Sequence, residues 1–250
     1  MTPRAAGAYH RGTGHPHGRY PLNTASRARY PWPAAAQPAR FGPMLLGAFG
    51  LSAGITRCQL QAPSLRRIIN QEITALFPAL KATTITYPFL KPDSPTPLDV
   101  NEQLQALVAE STAGAEMSTV LVWLCDKPIA PVSGDIYTVR VTAAQTLVAS
   151  AWTNGALVFD QVLPVGKYAV VGAVFTGATL QAFRFVFQSQ ANRPGGLGMS
   201  AVTGFTVPQF RFGSLGDWGE FESTNPPTVD FLATAADAAQ TGAIDLIKVG

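Results

Sequence analysis

Charge is scarce in this chain: 13% of its 250 residues are charged, against about 25% in an ordinary globular domain. A monomer of this size usually carries a charged coat that keeps it soluble and separate. The deficit therefore predicts that much of the surface is covered by other subunits. Acid is missing altogether from residues 1–71, which hold nine Arg, whereas residues 72–250 hold the other nine basic and all 15 acidic residues. A part at +9 thus precedes a part at −6. Histidine is missing after position 17, since His10, His15 and His17 are the only ones. That excludes a Ser-His-Asp or Cys-His relay, or a His-ligated metal centre, from everything downstream. The HPHG run itself has no Asp, Glu or Cys beside it and makes a poor metal site, so none is expected.

Cysteine is limited to Cys58 and Cys125, too few for a disulfide framework, and two buried thiols are expected rather than a bridge. Long apolar runs are also lacking. GPMLLGAFGLSAGI (42–55) falls short of the roughly 20 residues that span a bilayer, and is expected to pack on protein. The start at Met1 has no charged, apolar and small-residue segments in the order of a secretory signal.

What is present is β-structure. Hydrophobic residues make up 47% of the chain, and 23 Gly and 20 Pro favour short elements joined by turns. Candidate strands are 82–90, 117–126, 135–142, 146–152, 156–162, 167–175, 180–188, 208–213, 228–234 and 243–249. Asn154-Gly155 between two apolar runs predicts a tight hairpin turn. Phe183, Phe185 and Phe187 alternate with Arg184, the pattern of a strand with one buried face. YAVVGAVF (168–175) is apolar on both faces and must be covered on both, a partner subunit being the simplest second cover. Strands at this spacing indicate a sandwich or jelly roll.

Two helices are expected. SLRRIINQEITALF (64–77) sets Leu65, Ile68, Ile69, Ile73 and Leu76 on one face, with Ser64 as N-cap. Arg66 and Arg67 then fall in the first turn, where the dipole disfavours cations, so they are expected to answer an external anion or carboxylate. Asp99 and Glu102 have capping-box spacing, which predicts a second helix over 99–110.

Residues 1–41 show no period of 2 or 3.6 and read as an extended Arg/Pro-rich arm. Its Arg4, Arg11, Arg19, Arg27, Arg29 and Arg40 are candidate contacts for nucleic acid or anionic lipid. Tyr20, Tyr30 and Trp32, with Arg66 and Arg67 beyond the arm, are candidate subunit contacts. Residues 42–81 read as an apolar linker with an amphipathic helix, and 82–250 as the sandwich.

One carboxylate cluster stands out, Asp217, Glu220 and Glu222, in GSLGDWGEFES beside Trp218 and Phe221. Two readings stay open: a glycan site of Asp217, Trp218 and Glu220 with an aromatic platform, or a polar loop anchored by two aromatics. No GxGxxG or P-loop pattern occurs, and neither a catalytic residue nor a cofactor is expected.

LPVGKYAVVGAVF (163–175), LQAFRFVFQ (180–188) and RPGGLG (193–198) resemble the strand-and-turn texture of jelly-roll coat proteins of tailless icosahedral phages, some with an internal membrane. The resemblance implies an antiparallel eight-stranded jelly roll, many copies per particle, and an arm running between neighbours. It implies a structural capsid protein of the virion, made in the host cytoplasm. Its partners would be copies of itself, other capsid proteins, and genome or internal membrane through the arm. The alternatives are a carbohydrate-binding or glycan-cleaving β-sandwich, or a minor vertex or spike component of a virion.

Overall fold

The computed structural model describes residues 4–11, 44–51, 55–69, 73–76, 89–90, 95–110, 117–125, 132–143, 145–188, 190–198, 212–213, 215–238 and 240–250. The protein is mainly β, with antiparallel sheets. It divides into two compact units, one of residues 7–128 and one of 129–250 together with 1–6.

In the first unit, β1 (Arg4–Arg11), which spans the boundary, shares a sheet with β2 (Met44–Leu51), β5 (Phe89–Leu90), β6 (Thr96–Pro97) and β8 (Met117–Cys125). A second sheet runs β4 (Ile73–Leu76), β3 (Ile55–Gln61), β7 (Gln105–Glu110). Within the apolar 42–55 run, Met44–Leu51 forms β2, hydrogen-bonded to β8 with Leu45 opposite Leu124 and Phe49 opposite Leu121. Leu45, Leu60, Leu65, Leu98, Val120, Val122 and Leu124 form a buried aliphatic cluster. Cys125 is buried and outside any disulfide.

Both helix expectations need correction. The first helix, α1, covers Pro63–Ile69 only, and Ile73–Leu76 leaves as β4 to pair with β3. With Pro63 at the first helical position, Ser64 lies inside the helix rather than capping it. Its N–H donates to Glu102 Oε2 at 2.9 Å, and its hydroxyl donates to Glu102 Oε1. The second helix is absent: Asp99 N–H donates to Glu102 Oε1 at 2.8 Å, as a capping box requires, but the turn stops there. Residues Gln105–Glu110 pair with β3 along its length. Leu104 and Ala106 pack on the aliphatic cluster, so cross-strand pairing and burial override the local helical signal.

The second unit is a two-sheet sandwich. Its strands are β9 (Ile136–Ala143), β10 (Trp152–Ala156), β11 (Val158–Phe159), β12 (Lys167–Thr176), β13 (Leu180–Val186), β14 (Gly195–Leu197), β15 (Gly219–Glu222), β16 (Thr228–Ala233) and β17 (Gln240–Lys248). One sheet runs β11-β9-β17-β12-β15, the other β10-β16-β13-β14. Between them lies an aromatic core. Phe175 from the first sheet meets Phe183 at 4.8 Å and Phe231 edge-on at 5.1 Å from the second. Edge-to-face pairs at such spacing add about 0.5–1.5 kcal/mol beyond area burial. Phe183, Phe185 and Phe187 are all buried, as the alternation predicts. At Gly195 an added Cβ would fall 2.0 Å from the Phe183 carbonyl oxygen, so only glycine lets β14 close on β13.

Two further expectations change. Asn154-Gly155 is no turn; both lie within β10, opposite Asp230 and Val229 of β16. The apolar β12 is buried on both faces by this chain alone. Phe175 enters the aromatic core, while Ala169 and Val171 pack with Ile247, Val132 and Ile136 on the other face. A returning segment completes that cover: Gly213 N–H donates to Val171 O and Trp218 N–H to Val170 O, each at 2.8 Å. The fully buried Asp245 holds it, accepting from Thr138 Oγ1 at 2.6 Å and from Phe212 N–H at 3.2 Å. Phe212 takes the left-handed conformation there, at φ 59°. No partner subunit is needed to cover β12.

Candidate functional site

The acidic loop gathers around the start of β12. Lys167 pairs with Glu220 across the β12–β15 register, and the Glu220 carboxylate holds the Lys167 ammonium above its ordinary pKa. Asp217 is half-buried. Desolvation pushes its carboxyl up, against the opposing effect of Gly219 N–H, which donates to its Oδ1 at 2.6 Å. Trp218 is 1% exposed, its ring packed between Phe183 at 6.4 Å and Phe185 at 5.9 Å. A buried ring offers no face on which a sugar can stack. Asp217, Trp218 and Glu220 are thus brought together as a loop anchored in the core, without the exposed aromatic platform of a glycan site.

Of the cationic candidates, Arg66 and Arg67 are exposed on α1. Because the helix ends at Ile69, they occupy its last turn, where the dipole favours cations. Arg67 pairs with Asp99 at 2.8 Å, so the carboxylate it was expected to seek outside belongs to its own chain. The pairing raises the Arg67 pKa and lowers that of Asp99. Arg4 and Arg11 bound strand β1. Arg19, Arg27, Arg29, Arg40, Tyr20, Tyr30 and Trp32 lie outside the described residues.

The most organised polar constellation escaped the sequence reading. Asn154, Asp230 and Arg184 stand in one row across β10, β16 and β13. Asp230, 8% exposed, accepts from Arg184 Nε and from Asn154 Nδ2, each at 2.8 Å, with Arg193 at 3.7 Å. The Arg184 guanidinium also lies 4.2 Å from the centre of the Trp152 ring. These residues are far apart in sequence, and only strand register unites them. The one available signal was Arg184 alone among three phenylalanines, a charge that needs a partner on its own face.

Among the described residues no group of three or more His, Cys, Asp or Glu could hold a metal ion, and no helix is long and apolar enough to cross a membrane. The class defined by fold and surface is an antiparallel β-sandwich joined to a smaller β unit. No protein-family model, curated protein or solved structure matches the chain.

Proposed function

We propose that this chain is a shell-building subunit whose residues 129–250 form a jelly roll. The observation that carries the reading is strand order. Setting aside the two-residue β11, eight strands remain in two four-stranded sheets, β9-β17-β12-β15 and β10-β16-β13-β14. In each sheet, strands from the first and last parts of the segment alternate, which is the double Greek-key winding of a jelly roll. Jelly rolls also serve lectins and cupins. The lack of His after position 17 removes a His-ligated cupin centre, and the buried Trp218 removes the expected lectin platform. The low charge of 13% favours a protein whose outer walls meet other copies.

In this reading the Arg-rich first part binds enclosed nucleic acid or neighbouring subunits. Electron microscopy and light scattering of the purified full chain test the proposal. Closed particles of uniform diameter are expected, and a monodisperse monomer at every ionic strength refutes it. Neutralising Arg19, Arg27, Arg29 and Arg40 to Gln should lower the nucleic acid content of the particles. It should also flatten the salt dependence of binding, by roughly one logarithmic unit of slope for each phosphate left without its arginine.

A further inference from the structure

The sandwich ends in strands that are protected very differently. At one side β15 carries Glu220 and Glu222, and β14 is three residues long and buried throughout. At the other side β10 terminates one sheet and β11 the other, separated only by Leu157. This Trp152–Phe159 ribbon contains neither charge nor proline, and no charged residue occurs anywhere from 141 to 159. Natural sheets blunt their edges with lysine, proline, bulges or covering segments, because an open row of amides and carbonyls recruits another strand. Neither lysine nor proline stands in β10, and its register with β16 has no bulge. Val158 near the end of the ribbon is 59% exposed, and Val148, four residues before its start, is 57% exposed.

We infer that β10 is a strand-addition edge whose occupant is β10 of a second copy of this chain, paired antiparallel about a two-fold axis. Charge decides the occupant. An isologous contact sets each residue against its own kind, and like charges directly opposite destabilise a strand pair. The β15 edge would oppose its own glutamates, whereas the ribbon is neutral throughout. Antiparallel pairing also turns the Val148 end of one copy toward the Val158 end of the other. The four-stranded sheet β10-β16-β13-β14 then continues across the axis as eight strands. A five-residue pairing is short, which suits one of several contacts per subunit rather than a dimer held by this edge alone. The contact rests on the reading of the chain as self-assembling and names where two copies meet.

The test is the full chain carrying Ala156→Lys and Val158→Lys, both at exposed positions, beside a Val162→Lys control. Val162 is 95% exposed and lies outside the edge. Sedimentation velocity should show self-association at least tenfold weaker for the double variant at an unchanged melting temperature, with the control like wild type. Amide exchange at the Trp152–Ala156 positions whose N–H points away from β16 should be slow in assembled wild type and fast in the double variant. Equal association of wild type and double variant, or fast exchange of those amides in assembled protein, overturns the inference. Closed shells formed equally by the double variant sink the edge contact and spare the shell reading. A Lys-sensitive dimer that never closes into particles does the reverse, and a wild-type monomer at all concentrations sinks both.

Discussion

In residues 129–250 the first strand pairs with the last and the second with the penultimate, β9 with β17 and β10 with β16. Residues 7–128 nest similarly once β1, which also pairs with β8, is set aside: β2 with β8 and β3 with β7. The cores enclosed differ in kind. The sandwich unit is filled by Phe175, Phe183, Phe185, Phe231 and Trp218, the other unit mainly by Leu, Val and Ala beside the buried Trp123. Two full sheets face each other in the first case, and rings reach across the roughly 10 Å between sheet planes. In the second, α1 contributes Leu65 and Ala62 lies beside it, where aliphatic side chains suffice. Nested pairing is thus separable from what fills it: similar closure accommodates an aromatic-rich or a mainly aliphatic interior.

The largest effects should come from the cores. Phe175→Ala should cost about 3–5 kcal/mol and Leu65→Ala about 2–5 kcal/mol in denaturant unfolding. Hydrogen exchange sharpens the comparison. Each substitution should lower protection chiefly in its own unit, and an equal drop in both would erase the distinction between them. Next come the polar latches. Asp230→Ala in the sandwich removes the carboxylate shared by Arg184 and Asn154, the latter keeping only Thr228 Oγ1, and Glu102→Ala in the other unit strands Ser64. Each should cost about 1–3 kcal/mol, read from shifts in the unfolding midpoint.

Asp217 should give a smaller, pH-dependent effect. Its folded pKa is raised, so its neutral form favours folding at low pH, and that contribution is lost as pH rises through the folded value. Stability curves of wild type and Asp217→Asn should therefore converge in acid, with wild type falling behind above the usual carboxylate range. A constant difference at all pH values would contradict this. Smallest is Arg67→Ala. The pair with Asp99 is exposed and screened, and thermal melts in high salt should not distinguish the variant from wild type.

Local signals served the two units unequally. The Phe183–Phe187 alternation was legible because a period of two reports which face is buried, whatever the neighbour. The capping contact of Asp99 and Glu102 was legible too, and it forms, yet the helix does not follow. Its continuation, Gln105–Glu110, gains more from pairing with β3 than from continuing a turn. Asn154-Gly155 misled for the same reason: Asn154 is committed to Asp230, 76 residues away. Of the candidate site residues, Arg67 meets a carboxylate on its own chain, Asp99, in place of the external one expected. The Asn154–Asp230–Arg184 row left no contiguous trace.

The amino-acid order alone determined that this chain makes strands, that Phe183, Phe185 and Phe187 turn inward, and that its basic residues lead while its acids trail. Those are consequences of spacing and composition, which act over a few residues. Which strand lies beside which was decided only in three dimensions, and with it the winding of the sandwich, the partners of its charges and the place of β10 at an edge. A strand's amides accept any neighbour, and only the burial of all side chains at once selects among them.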